Sequence, residues 1–432
     1  MLIRFTVQNW LSYRDTAELT MVASREQQNS HQNARVTSHR LNILPIATIY
    51  GGNASGKSNL FKAISFAKHF ITHGTGIDQR IAVSPFRLDI SYHSAPSVFV
   101  FEILIADQIY EFQFSVTAQQ VVHEKLSHIR PTVEHVVYER HGQQIVPGKI
   151  GAGEKAFWQF AHQAVRPNQL FITTGVQLMH APFLPIYQWF REHLVLIAPD
   201  ARFEEFERFV DKRNPQFETM NHFLHSLDTG ITELAGQDIP FDVIPFPDDL
   251  KSHLQRQILD GQTVRLVDFR QNERIVITRQ NGELNAQKIV GQHRRVDGAY
   301  ESFTMAQESD GTNRIIDLLP AFLDVFDAES AKVVIIDEVD RSLHTLITKN
   351  LIERFLESRT KDTRSQLFVT MHDVLLMNQR TLRRDEMWIT ERDSNGASTL
   401  HALSDFIGIR ADKDVRKSYL QGRFGGIPRI LW

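Results

Sequence analysis

Residues 51–58, Gly51-Gly52-Asn53-Ala54-Ser55-Gly56-Lys57-Ser58, have the spacing G-x-x-x-x-G-K-[ST], the pattern of a loop that wraps phosphate. Glycines let successive backbone N–H groups turn inward around an anion. In that role Lys57 would reach the β- and γ-phosphates of a nucleoside triphosphate, and the Ser58 hydroxyl would ligate Mg²⁺. Asn59, the next residue, is counted with this loop. Far along the chain stands a pair of carboxylates, Asp337-Glu338. Asp337 suits a contact to Mg²⁺, and Glu338 suits the base that positions and deprotonates an attacking water. His372 follows the next apolar run and could reach a γ-phosphate. Glu308-Ser309-Asp310-Gly311-Thr312-Asn313-Arg314 offers a second anion site, from the Ser309 hydroxyl and the free N–H groups around Gly311 at a helix start. An ordinary N-cap by Ser309 or Asp310 is the plainer use of the same residues. One chain already cradles phosphate with residues 51–58, so this second site is best explained as acting on another subunit's nucleotide.

These groups need elements to hold them. Ile46 to Tyr50 reads as a short buried strand before the loop. Leu60, Ile64, Ala67 and Ile71 form a helical stripe after it, giving the strand–loop–helix order that the chemistry requires. Val333-Val334-Ile335-Ile336 is a continuous apolar run, as expected of a strand buried on both faces of a parallel sheet. Asp337 and Glu338 would then stand at its carboxyl end, where such sheets bind ligands. Leu367 to Thr370 predicts the neighbouring strand, with His372 just past its tip, and Ile315 to Phe326 predicts an amphipathic helix. Phe99, Phe101, Ile103 and Ile105 alternate, as do Phe112, Phe114 and Val116, so residues 76–145 read as an antiparallel β-lobe. Residues 146–300 read as a mixed helical insert, with helices over Phe183 to His193 and Phe203 to Val210. The insert lacks sustained heptads and carries Pro182, Pro185, Pro199, Pro240, Pro245 and Pro247, so no long coiled coil is expected. Residues 1–75 and 301–432 would supply the two halves of one α/β domain with a parallel-core mixed sheet.

Composition excludes several classes. The 432 residues are 42% apolar and 23% charged, the mix of a globular protein. Net charge is −3, so the whole-molecule field does not favour nucleic acid; binding there would need a local patch such as His293-Arg294-Arg295 or Arg380 with Arg383-Arg384. With no cysteine there is no disulfide, thiolate metal site or cysteine nucleophile, which fits a cytoplasmic setting. No run approaches the ~18 apolar residues of a membrane span, and the opening MLIRFTVQNW does not read as a signal peptide.

Taken together the motifs resemble the ABC-type P-loop ATPases related to SMC, RecF and OLD heads. The segment Asn9-Trp10-Leu11-Ser12-Tyr13 is similar to the opening of those heads, residues 51–58 to their Walker A, 308–314 to a degenerate signature motif and 333–338 to Walker B. Asp340 matches the D-loop and is counted with the nucleotide contacts, and His372 matches the switch histidine. The resemblance implies ATP and Mg²⁺ as ligands, hydrolysis of ATP, and a homodimer or higher homo-oligomer with nucleotide held between Walker A of one subunit and Ser309-Gly311 of another. The pattern departs at Glu308, where an apolar residue is usual, and at Asp310, which replaces glycine; the Q-loop glutamine has several candidates, Gln177 among them.

A narrower resemblance rests on Leu343-His344, Thr370-Met371-His372-Asp373 and the ending Tyr419-Leu420-Gln421-Gly422-Arg423-Phe424-Gly425-Gly426-Ile427-Pro428. These look like stand-alone AAA-type ATPases of bacterial abortive-infection and other anti-phage systems, which implies a separately encoded effector, often a nuclease. A RecF-like DNA-maintenance ATPase and a nucleotide-locked scaffold with little turnover are the alternatives. For metals, His123-Glu124 with His128 lacks the i, i+4 spacing of a zinc helix pair, and His69 with His73 has that spacing without a following Glu.

Overall fold

The computed structural model describes residues 1–149, 155–201, 216–244, 246–268, 273–406 and 414–427. They group into two units: Met1–Pro199 with Asp324–Asp340 and Thr348–Trp432, and Asp200–Leu323 with Arg341–Ile347.

The first unit holds a six-stranded sheet in the order Leu194–Ile197, Val333–Ile336, Gln366–Thr370, Ile46–Tyr50, Met387–Arg392, Ser398–Ala402. All neighbours run parallel except the last pair. The strands 46–50, 333–336 and 366–370 are buried at every position, the physical reason for their mostly apolar runs. Parallel register brings Tyr50, Ile336 and Thr370 to one edge, so the residues that follow each strand emerge together.

Beside this sheet is a seven-stranded antiparallel one, ordered Gln144–Pro147, Glu134–His141, Val121–Ile129, Gln108–Val116, Ser97–Ile105, Leu2–Gln8, Ala17–Thr20. The expected β-lobe is thus extended by the two N-terminal strands; residues 77–96 contain no strand. Its inner face meets the helix Lys57–His73, which buries Leu60, Ala63, Ile64, Ala67, Phe70 and Ile71. Phe66 lies 5.2 Å from Phe99 and Phe70 lies 5.9 Å from Phe114, centroid to centroid.

The boundaries differ from those read in the sequence. Residues 155–199 cluster with the first unit, because Phe171, Phe183, Trp189 and Phe190 bury in the same core as Phe101 and Tyr138. The helical region expected over 183–193 is there, as consecutive short helical turns spanning 181–193. The helix expected over 203–210 and Pro428 lie outside the described residues.

The second unit carries the helices Gln216–Ser226 and Asp248–Gln257 and also a five-stranded antiparallel sheet. Its central strand, Glu283–Arg294, pairs with Ile231–Ile239, Glu273–Gln280 and Tyr300–Thr304. Consecutive polar residues such as Gln237-Asp238 and Gln287-Lys288 break the period-two alternation of these strands, which is why they read weakly from sequence. Arg274 on one strand reaches Asp317 on the helix Asp310–Phe326 at 2.7 Å, both buried. That helix begins five residues earlier than the apolar stripe from Ile315, so Gly311 to Arg314 form its first turn. The longest helices among the described residues run 17 residues, and none is long and apolar enough to cross a membrane.

Candidate nucleotide site

The loop after Ile46–Tyr50 is shaped by contacts that admit no side chain at two glycines. A methyl group on Gly51 would lie 2.3 Å from Thr390 Oγ1 and 2.5 Å from Ser55 Oγ. Gly56 has φ +120°, and a methyl group there would lie 2.6 Å from Ser398 Oγ. Ala54 also adopts a left-handed φ of 60°. The helix starts at Lys57, whose ammonium donates to Gly51 O (2.6 Å) and Gly52 O (3.1 Å) and lies 3.5 Å from His372 Nδ1. Burial lowers the Lys57 pKa, and the carboxylates of Asp337, Asp340 and Glu338 oppose that shift. A polar cleft of about 290 Å³ is lined by residues 52–59 with Glu338 and His372. A backbone cradle that a Cβ at Gly51 or Gly56 would crowd, a helix N-terminus and the buried Lys57 together fit a polyphosphate.

The carboxylate pair is held by one hydroxyl. Asp337 is 2% exposed and accepts a hydrogen bond from Thr370 Oγ1 at 2.5 Å. The same Oγ1 accepts the Glu338 N–H at 2.8 Å. Glu338 has φ +51°, a left-handed conformation that a glutamate rarely adopts, so the Thr370 bridge holds a strained residue in place. From there Glu338 Oε1 faces the cleft, 3.9 Å from His372 Nε2. Asp340 does not line the cleft. Its Oδ2 accepts the backbone N–H groups of His372 and Asp373, each at 2.7 Å, and so fixes the turn that carries the histidine. Gly51 and Asp337 are not in the lining either; Gly51 O accepts from the Lys57 ammonium and Asp337 from Thr370.

Distant segments complete the frame. Tyr13 OH donates to Gly56 O (3.2 Å), Trp10 Nε1–H to Asn59 O (3.1 Å) and Asn59 Nδ2 to Ser12 Oγ (2.8 Å). Burial pushes the Tyr13 hydroxyl pKa up, so it stays a neutral donor. Ser55 Oγ lies 2.6 Å from Thr390 Oγ1, and Gly52 N–H donates to Gly426 O at 2.6 Å. Thr390, Ser398 and Gly426 carry no local motif; only strand pairing more than 330 residues away in sequence brings Thr390 to the loop. Thr370 had a visible signal, a hydroxyl ending an apolar strand just before His372.

Ser309 and Gly311 belong to the second unit. Ser309 caps the helix Asp310–Phe326: its Oγ accepts the Thr312 N–H at 3.0 Å and its carbonyl accepts the Asn313 N–H at 2.9 Å. Ser309 and Asp310 are exposed at that helix tip. The unusual Glu308 pairs with His293 at 2.7 Å, in space left open by Gly291, where a methyl group would lie 2.6 Å from Glu308 Oε1. Gln177 accepts from Gln169 Nε2 at 3.1 Å and is not part of the cleft lining.

Comparison with known proteins adds the family. No curated protein matches the chain. Among solved structures it is similar to the SMC head domain from Thermotoga maritima, at TM-score 0.38 and 12% identity over 93% of this chain and 98% of that one. It is also similar to an SmcHead bound to the C-winged helix domain of ScpA, at TM-score 0.40 and 10% identity over 94% and 99%. A protein-family profile described as "AAA domain, putative AbiEii toxin, Type IV TA system" matches residues 46–378, a span that takes in the phosphate loop, the carboxylate pair and the histidine. The chain belongs to this AAA-domain family.

Proposed function

We propose that the protein binds ATP with Mg²⁺ in the 52–59 cleft and hydrolyses it, and that the nucleotide state governs a separately encoded effector in defence against phage. The observation that carries the hydrolytic reading is the convergence of Glu338 and His372 on the phosphate loop, from three separate strand ends. Backbone N–H groups of the loop and the Lys57 ammonium would hold the phosphates. Ser58 and Asp337 would hold Mg²⁺, which supplies charge neutralisation on the phosphate oxygens. Glu338 would take the proton of the attacking water, and His372 would contact the γ-phosphate. Two chains would pair so that the helix tip of one, where Ser309 and Asp310 are exposed and Gly311 is partly buried, reaches the nucleotide of the other. The family description names a toxin of a toxin–antitoxin system, which supports the defence role.

Glu338→Gln tests this reading. The variant should bind ATP with Mg²⁺, lose more than about 10²-fold in phosphate release, and accumulate as an ATP-bound dimer in light scattering. Calorimetry that detects no magnesium-dependent ATP uptake by the wild type would refute it, as would wild-type turnover in the variant. Co-purification with the product of the adjoining gene tests the effector, and its absence from phage-challenged cells would remove the regulatory half of the proposal.

A further inference from the structure

The solvent face of the antiparallel sheet carries a three-residue cluster with no part in the nucleotide site. His123 on Val121–Ile129 lies directly opposite His141 on Glu134–His141. Glu139 is two residues before His141, so the strand period puts it on the same face. Glu139 Oε1 lies 3.0 Å from His123 Nε2 and 3.4 Å from His141 Nε2, and one ligand atom from each residue lies within 4.8 Å of the other two. From these positions we infer a binding site for a divalent transition metal of the Zn²⁺ class, held by His123, Glu139 and His141.

The chemistry of the donors selects the ion. Two imidazoles and one carboxylate suit Zn²⁺, Co²⁺ or Ni²⁺, whereas Mg²⁺ and Ca²⁺ require oxygen shells. Tetrahedral zinc with bonds of about 2.0–2.1 Å has ligand atoms about 3.3 Å apart. The two nitrogen-to-oxygen separations bracket that value, and side-chain rotation of the exposed His141 would bring the remaining pair, now within 4.8 Å, to it. His141 is 62% exposed, which leaves a fourth position for water or for a partner's side chain. The neighbouring ammonium of Lys125 makes its ion pair with Glu134, at 2.6 Å.

The reverse face explains why the triad is held in register. Glu124 and Arg140, each next to a ligand residue, are fully buried opposite one another and pair at 3.4 Å. Tyr138 OH donates to Glu124 at 2.7 Å, and the Phe171 and Ile172 N–H groups donate to the same carboxylate at 2.6 and 2.9 Å. A one-residue slip would pull this network apart and turn the histidines inward. No helical spacing encodes the cluster; the hairpin makes it.

The test uses the full chain, untagged and nucleotide-free, titrated with Zn²⁺ against a chromophoric chelator in excess Mg²⁺. The Mg²⁺ masks the nucleotide-associated metal position. The wild type should take up one Zn²⁺ equivalent that His123→Ala and His141→Gln each weaken by more than about tenfold, since even outer-shell changes cost that much in known sites. Thermal unfolding of the apo-variants should match the wild type, because both side chains lie on the solvent face, and Zn²⁺ should raise the melting temperature of the wild type alone. Equal Zn²⁺ uptake by wild type and the doubly substituted chain, or none by either, would overturn the assignment. Neither result bears on ATP binding, which involves none of these residues.

Discussion

Replacing Thr370 with valine removes one hydroxyl and almost no volume. That hydroxyl donates to Asp337 at 2.5 Å and accepts the Glu338 N–H at 2.8 Å. A hydrogen bond to a charged group contributes about 1.5–3 kcal/mol, and a buried N–H left without a partner costs about 1–3 kcal/mol. The two losses share one atom and are not independent, so Thr370→Val should destabilise the fold by about 3 kcal/mol. Against a typical stability of about 5–15 kcal/mol the chain would remain folded. Glu338 would also lose the tether that offsets its left-handed backbone, at φ +51°. A displacement near 1 Å costs about 10²-fold in rate, so kcat should fall by more than about tenfold. KM should change little, because the cleft lining of residues 52–59 is untouched. Thr370→Ser should restore both properties. Urea denaturation gives the stability and a phosphate-release assay gives the kinetics. Wild-type behaviour of Thr370→Val in both would sink the bridge; lost stability with unchanged turnover would sink the assignment of Glu338 as the base.

Gly56→Ala should unfold more readily by over about 2 kcal/mol and fail to bind ATP in calorimetry, since its φ is +120° and its methyl group would strike Ser398 Oγ at 2.6 Å. Burial pushes the Glu386 carboxyl from 4.5 up to about 8. Because its folded pKa is the higher one, its contribution is fully present below about pH 4.5 and is lost as pH rises towards about 8. Relative to Glu386→Gln, the wild type should therefore lose about 1.4 kcal/mol per pH unit across that window in urea unfolding, and parallel pH profiles would refute the buried neutral carboxyl.

What the sequence alone determined is what short-range chemistry dictates. Residues 51–58 are contiguous, so the phosphate loop is legible without knowing the fold, and the helix that follows had to begin where its backbone donors are needed. Asp337-Glu338 and His372 were legible because each ends an apolar run, and a strand buried on both faces leaves little ambiguity. Even the order of the motifs implied that the two ends of the chain share a sheet, as the pairing of 366–370 with 46–50 shows.

Only the tertiary structure decided which residues support these groups. Thr390, Ser398 and Gly426 reach the phosphate loop through pairing and loop contacts with no local pattern, and Thr370 acquires its double role from lying beside 333–336. Asp340 is assigned to the turn of His372 by geometry alone, and residues 155–199 join the first unit because their aromatic side chains find an apolar face there. The His123–Glu139–His141 cluster was invisible for the same reason: its members are neighbours across a hairpin, and helical spacing was the wrong ruler for them. Local sequence specifies a motif's own backbone, whereas cross-strand proximity depends on register, which the whole buried face sets at once.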